Sequence, residues 1–306
     1  MNPIEIRDLV KRYQDFTAVD GVSFAVAEGQ VFALLGPNGA GKTSAIRVLM
    51  GILFPDGGEV RLLGRAPHET REQVGYLPEA RGFYRDARLL ELLVYLAVLK
   101  GMSAADARRS ARAWLERFDL ADWAGRKINE LSHGMQQKAQ MAAALLHDPP
   151  VLVLDEPFQG LDPVNVQTMK RLIAEMREQG KTILLSSHQL VHVEALADEL
   201  ALINHGRIVA RGKLDDLRRR YARGDVAVRL VGDAPLPSGL PVQQAERHNG
   251  LWRLLPAPGI TPHQLLPLLL EQGAVVEHFE VVYPSLEDIF LRAVEASETR
   301  PVQEEG

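Results

Sequence analysis

The chain contains no cysteine, which excludes structural disulfides, thiolate catalysis and cysteine-ligated zinc. Aromatic residues make up only 6% of it. Long apolar runs are missing as well. The most lipid-like stretch, Leu89 to Leu99, is interrupted by Glu91 and falls short of the ~20 residues that cross a bilayer. No basic segment leads into an apolar one after Met1-Asn2-Pro3-Ile4-Glu5, so a secretory leader is not expected. An excess of positive charge is also lacking. The formal net charge is −5, which argues against nucleic acid as the main partner, because phosphate backbones attract basic surfaces. The expectation is a soluble protein that reaches a membrane, if it does, by docking on another chain.

What is present is an ordinary globular composition, 46% hydrophobic and 25% charged over 306 residues, enough for one large and one smaller domain. The first ~80 positions read as strands and turns, since typical strands and their connections are short. Val22 to Val26 alternates at the period of a half-buried strand. Val31-Phe32-Ala33-Leu34-Leu35 is continuously apolar, as suits a strand covered on both faces. Another strand is expected from Glu59 to Leu63, after the turn Pro55-Asp56-Gly57-Gly58.

Between Asp86 and Leu146 the period becomes helical: Ala111, Trp114, Leu115 and Phe118 share a face, and Ser103 with Asp106 forms a capping box. Strand character returns at Val151–Leu154 and Thr182–Leu185, with a helical stretch between. Strands alternating with helices predict a mostly parallel sheet with crossover helices.

The run Arg218-Arg219-Arg220 and Arg223-Gly224 marks a boundary, since like-charge runs are by default a solvated helix face or linker. It predicts domains at 1–214 and 226–306, joined by a linker at 215–225. In the second domain, strands are expected near Val226–Val231, Leu251–Leu255 and Ala274–Tyr283, with helices after Thr261 and after Ser285. Pro267 should kink or break the first of these helices, and the last dozen residues should fray.

The chemistry begins at Gly36-Pro37-Asn38-Gly39-Ala40-Gly41-Lys42-Thr43, followed by Ser44. Glycines at this spacing let backbone N–H groups turn inward around phosphates at the positive end of a helix. Lys42 would reach the β- and γ-phosphates of a nucleotide, and Thr43 would ligate Mg²⁺. A second element, Val151-Leu152-Val153-Leu154-Asp155-Glu156, delivers two adjacent acids at the C-terminal end of a buried strand, where ligands gather in open α/β sheets. Neighbouring strand residues point to opposite faces. Asp155 is therefore expected on the metal and Glu156 on the attacking water.

Leu131-Ser132-His133-Gly134-Met135-Gln136 resembles the signature of ATP-binding cassette (ABC) ATPases, with His133 in place of a glycine and Met135 in place of the glutamine. Ser132 and the Gly134 amide, at a helix start, can donate to a phosphate. Further matches fall in family order. Tyr13 aligns with the adenine-stacking aromatic. Gly75-Tyr76-Leu77-Pro78-Glu79 resembles the glutamine loop, with Glu79 at the glutamine position and counted with the metal site. Gly160-Leu161-Asp162 matches the loop that contacts the second cassette, and His188 matches the switch histidine. The resemblance covers about residues 2–215.

The closing Pro284-Ser285-Leu286-Glu287-Asp288-Ile289-Phe290 looks like the ATPase subunits of bacterial drug- and sodium-type exporters. The resemblance implies an α/β P-loop cassette with an inserted helical subdomain over about residues 86–146, plus a small C-terminal α/β domain. It implies ATP hydrolysis with Mg²⁺, a permease on a separate chain, and residence at the cytoplasmic face of the membrane. It also implies a second cassette, with Lys42 of one and Ser132 of the other on the same nucleotide. A cytosolic ABC ATPase outside transport is the alternative.

Overall fold

In a computed structural model the described residues are 2–80 and 82–298. They form two units, one ending at Leu214 and one spanning Asp215–Ala296. The polar tail expected to fray lies, from position 299 on, outside the described residues.

The first unit is built on a six-stranded sheet of order β5-β6-β7-β3-β8-β9: β3 (Val31–Leu35), β5 (Val74–Leu77), β6 (Val151–Asp155), β7 (Thr182–Ser187), β8 (Glu199–Asn204) and β9 (Arg207–Gly212). Only β9 runs antiparallel to its neighbour. Every residue of β3, β6 and β7 is buried, which is why these segments read as unbroken apolar runs rather than alternating ones. A smaller antiparallel sheet, β2-β1-β4, is made by β1 (Ile4–Tyr13), β2 (Phe16–Val26) and β4 (Gly57–Leu62). The two sheets share a core with α1 (Lys42–Leu49): Phe24 stacks on Phe32 at 4.8 Å, with Ile46 and Leu49 in the same cluster.

Three helices, α2 (Leu89–Leu99), α3 (Ala104–Arg117) and α4 (His133–Leu145), make the helical insertion. Ser103 caps α3 by accepting from Asp106 N at 3.1 Å, satisfying one of the helix's free amides. After β6, α5 (Pro163–Glu178) crosses back to β7.

The second unit is an antiparallel sheet, β11-β12-β10-β13, formed by β10 (Val226–Leu230), β11 (Val242–His248), β12 (Leu251–Pro256) and β13 (Val276–Val281). Helices α7 (Pro262–Glu271) and α8 (Leu286–Glu298) complete it. Val226, Val228, Leu230 and Leu254 from the sheet meet Leu265 and Leu269 of α7.

Three features bear on the sequence expectations. The basic run, read as a solvated helix face or linker, closes a helix, α6 (Leu214–Tyr221), whose acidic first turn (Asp215, Asp216) and basic last turn (Arg218–Arg220) complement the helix dipole while Leu217 is fully buried. Pro267 does not break α7; the helix runs through it because Leu265 and Leu269, on either side, are both anchored in the core. Finally, β11 was not foreseen. Its polar sequence, VQQAERH, is exposed along nearly its whole length as an edge strand, so it has no buried face to imprint an alternation.

Candidate functional site

Parallel strands bring their C-terminal ends to one edge of a sheet, and the register here places three motifs side by side. Leu35, closing β3, pairs with Ser187 of β7, and Asp155, closing β6, pairs with Ser186 of β7. The loop after β3, the acid pair after β6 and the histidine after β7 therefore converge.

The loop from Gly36 to Gly41 enters α1 through Gly41, at φ 107°. Two of its glycines are forced by close approach. A Cβ at Gly36 would stand 2.2 Å from the Ile203 carbonyl, and one at Gly41 2.3 Å from the Ala18 carbonyl. Lys42 is buried, and its Nζ donates to Gly36 O at 2.7 Å and Pro37 O at 3.1 Å. Folding its ammonium back onto the loop in this way closes a cradle around a cavity of about 250 Å³. Asn38 to Ser44, Glu79 and Glu156 line that cavity, with Tyr13 at its mouth.

Glu156 is the most constrained member. It sits at φ 53°, in the left-handed region that non-glycine residues seldom adopt. Its amide is held by the Ser186 carbonyl and the Ser186 hydroxyl, both at 3.2 Å. Its carboxylate is 4% exposed, with Oε1 3.4 Å from Lys42 Nζ and Oε2 2.9 Å from His188 Nδ1. Neither contact lies on the line a hydrogen bond needs, so Glu156 Oε1 and His188 Nδ1 are buried without hydrogen-bond partners. A strained residue with an unsatisfied carboxylate facing a cavity is a typical device of reacting sites.

Asp155 is fully buried. Burial pushes its carboxyl above the usual range and the charges of Glu79 and Glu156 add to this, while hydrogen bonds from Ser186 and Thr43 oppose it. Its Oδ2 has no partner. Thr43 Oγ1 reaches both carboxylates, Glu79 Oε2 at 3.1 Å and Asp155 Oδ1 at 3.4 Å. Hard oxygens around an orphaned buried carboxylate oxygen suit Mg²⁺, which usually takes one or two protein ligands and completes its shell with water and phosphate. Among the described residues no cluster of three or more acidic, histidine or cysteine side chains forms a metal cage.

Tyr13 closes β1 opposite Phe16, the first residue of β2, and its hydroxyl lies 3.4 Å from Ser44 Oγ. Phe16 is 58% exposed and lines the cavity beside it. Phe16 and Ser186 belong to the site although sequence reasoning did not single them out. Phe16 was legible as the partner of Tyr13 in a tight hairpin; Ser186, inside an apolar strand, carried no signal.

Ser132, Gly134 and Asp162 do not line this cavity. They gather elsewhere. Ser132 caps α4 by accepting from Met135 N at 3.3 Å, and Asp162 caps α5 by accepting from Asn165 N at 2.9 Å. Gly134 faces Asn165 and Leu161, so the start of α4 and the loop before α5 lie against each other. Hydrogen bonds from the Asn165 amide and side chain hold the Asp162 carboxyl below the usual range.

A strand-loop-helix phosphate cradle beside a buried Asp-Glu strand end defines a P-loop nucleotide hydrolase. Comparison with known proteins narrows this. Residues 19–159 match the family model described as ABC transporter, and residues 212–294 match that of the ATP-binding protein DrrA1-3-like C-terminal domain. The chain is 38% identical to YhaQ of Bacillus subtilis, an uncharacterized ABC transporter ATP-binding protein, over 96% of this chain and 99% of that one. It is 35% identical to the Nod factor export ATP-binding protein I of Ralstonia nicotianae, over 94% and 92% respectively. A solved ATP-binding subunit of an ABC transporter superposes with a TM-score of 0.67 at 34% identity, covering 71% of this chain and 92% of that one. A dimeric post-hydrolysis state of the cassette MJ0796, bound to ADP and Pi, shares the fold at a TM-score of 0.64 and 23% identity. The chain belongs to the ATP-binding proteins of ABC transporters, and it is an ATP hydrolase of that family.

Proposed function

We propose that this chain energises an exporter whose membrane-spanning permease is a separate polypeptide, by hydrolysing ATP held between two cassettes. The observation that carries the hydrolytic part is that Lys42, Thr43 and Glu156 line one cavity, with Asp155 Oδ1 3.4 Å from Thr43 Oγ1 and His188 Nδ1 2.9 Å from Glu156 Oε2. ATP stacks its adenine on Tyr13 and lays its phosphates along Gly36–Ser44, where loop amides and the α1 terminus favour anions. Lys42 exchanges its carbonyl acceptors for β- and γ-phosphate oxygens. Thr43 and Asp155, with Glu79 beside them, hold the Mg²⁺, which neutralises developing phosphate charge when bound.

Glu156 polarises a water that attacks the γ-phosphorus. The bond from that phosphorus to the bridging oxygen breaks toward ADP, and the water's proton passes to Glu156. His188, beside the Glu156 carboxylate, orients that group and the γ-phosphate. Ser132, the Gly134 amide and Asp162, grouped away from this cavity, serve the nucleotide of a second copy. A cassette of the same fold has been solved as a dimer bound to ADP and Pi.

Two observations support a separate permease. Among the described residues no helix is long and apolar enough to cross a membrane. The first unit also carries an apolar hollow of about 390 Å³, lined by Ile52, Tyr76, Phe83, Leu96 and Leu99 among others. Ile52 and Leu99 are each more than half exposed, and contiguous exposed apolar surface marks a docking face. Export is supported by the likeness to the Nod factor export protein. The chain then works at the cytoplasmic face of the membrane.

The test is a tagged chain purified from detergent-solubilised membranes of its own host. A polytopic permease should accompany the wild type in stoichiometric amount and be lost with Ile52→Glu/Leu99→Glu, while soluble ATP binding persists. Retention of the permease by that variant, or its absence from the wild type, would sink the docking assignment.

A further inference from the structure

Strand β7 ends in two adjacent serines, Ser186 and Ser187, and is buried along its whole length. A buried hydroxyl costs free energy unless it is hydrogen-bonded, so each serine needs a partner. Successive side chains on a strand leave opposite faces, and the two find theirs in different places. Ser187 turns to the loop that follows, where its Oγ accepts from the Gln189 amide at 2.9 Å. Ser186, which is 0% exposed, turns to β6.

In the parallel register Ser186 stands opposite Asp155, and its hydroxyl donates to Asp155 Oδ1. The same Oγ accepts from the Glu156 amide at 3.2 Å. Chemistry fixes both directions: an amide N–H can only donate, which leaves the hydroxyl proton for the carboxylate. One side chain thus grips two consecutive residues with different tasks in the proposed reaction, the acid beside the metal and the base on the water.

Other contacts hold the two acids less firmly. Thr43 Oγ1 reaches Asp155 Oδ1 only at 3.4 Å and is nearer to Glu79 Oε2, at 3.1 Å. Glu156 sits at φ 53°, a conformation that persists in a non-glycine residue only where the surroundings impose it. The dihedral φ turns about the bond from the amide nitrogen, and that amide is held by the Ser186 carbonyl as well as the Ser186 hydroxyl. The carboxylate end is not pinned in the same way, since Lys42 and His188 approach it off the hydrogen-bonding line.

We infer that Ser186 is a positioning residue for hydrolysis: its hydroxyl, bonded at once to the Asp155 carboxylate and the Glu156 amide, fixes the metal-side acid and the base relative to each other. The inference rests on the reading of Asp155 as a metal ligand and Glu156 as the general base. Ser186 does not line the nucleotide cavity, so it acts through the two acids and not on the nucleotide. Its contribution is orientation, to which transfer of a phosphoryl group to water is sensitive.

Removing the hydroxyl strands neither neighbour. In Ser186→Ala the Glu156 amide keeps the carbonyl of residue 186, and Asp155 Oδ1 keeps Thr43. The variant should therefore fold and melt close to wild type, losing precision instead of stability.

The experiment measures phosphate release and ATP binding for the full-length wild type, Ser186→Ala, Glu156→Gln and the double variant, at saturating Mg²⁺. Ser186→Ala should bind ATP with wild-type affinity and lose about 10- to 100-fold in kcat, the range covered by one hydrogen bond to a charged group. An Mg²⁺ titration should show half-maximal turnover at a higher metal concentration than in wild type. In the Glu156→Gln background no base remains to position. There the serine change should cost less than about threefold more, since residues acting as a unit are not additive.

A kcat for Ser186→Ala within about twofold of wild type, with Glu156→Gln inactive, would overturn the positioning role and leave the base assignment standing. So would a fall in kcat matched by an equal loss of ATP affinity, or the same fractional loss in both backgrounds, either of which would make Ser186 a packing residue. Normal turnover by Glu156→Gln would instead remove the base, and the positioning role with it.

Discussion

Lys42 and Glu156 form a buried pair before any nucleotide arrives, and that pairing predicts a stability effect separable from catalysis. The two side chains are 5% and 4% exposed, with 3.4 Å between Nζ and Oε1. At an effective dielectric of about 20, two unit charges at this distance attract by about 5 kcal/mol, most of which offsets their desolvation. The net value of the pair is therefore small, but breaking it is not. Lys42→Met keeps the apolar stem and removes the charge, leaving Glu156 buried and uncompensated, which typically costs about 3–5 kcal/mol.

For a unit of this size, 1 kcal/mol moves the midpoint by about 2–4 °C, so a loss of 3 kcal/mol lowers the unfolding temperature of the first unit by about 6–12 °C. Glu156→Gln in the same background removes the stranded charge. The double variant should therefore recover at least half of the loss, the non-additivity expected of side chains in contact. Nucleotide-free calorimetry of all four proteins at one pH and ionic strength reads the cycle. If Lys42→Met unfolded within a degree or two of wild type, or the two changes were additive, the pair would not be coupled as the distances imply.

Two other outcomes follow from particular contacts. Tyr13→Ala should weaken ATP by about 1–3 kcal/mol, the worth of an aromatic–base stack, while inorganic triphosphate, titrated in parallel, binds as before; equal weakening of both would return Tyr13 to a hairpin-stabilising role. Pro267→Ala should raise the melting temperature of the second unit, because alanine restores the amide that proline denies to the His263 carbonyl, an interior-helix penalty of about 3 kcal/mol at most here. A lowered melting temperature would mean that the proline ring packs better than this account allows.

Much of the site was legible because it depends on backbone form and strand order. Gly36 and Gly41 announce themselves, since no other residue fits within 2.3 Å of a neighbouring carbonyl. The apolar runs before Asp155 and His188 imply parallel strands whose ends must meet. What was hidden depends on tertiary position. Ser186 looks like any small residue in a buried strand, yet it holds both Asp155 and the Glu156 amide. The pairing of Tyr13 with Phe16 required the hairpin register. In the second unit the exposed edge strand β11 had no periodicity to read, and the basic run before it was a helix end whose acidic start lay a turn earlier.

The central claim is that Glu156 activates water for ATP held between two cassettes, and Glu156→Gln tests it most directly. The amide keeps the shape and reach of the carboxylate but removes its basic lone pair. Phosphate release should fall by about 10²–10⁴-fold, the usual contribution of a positioned base, with Mg-ATP affinity retained. On size-exclusion chromatography the variant should elute as a dimer with Mg-ATP and as a monomer without it. Wild-type turnover by Glu156→Gln would contradict the account outright, and an inactive variant that stays monomeric in Mg-ATP would remove the two-cassette sandwich from it.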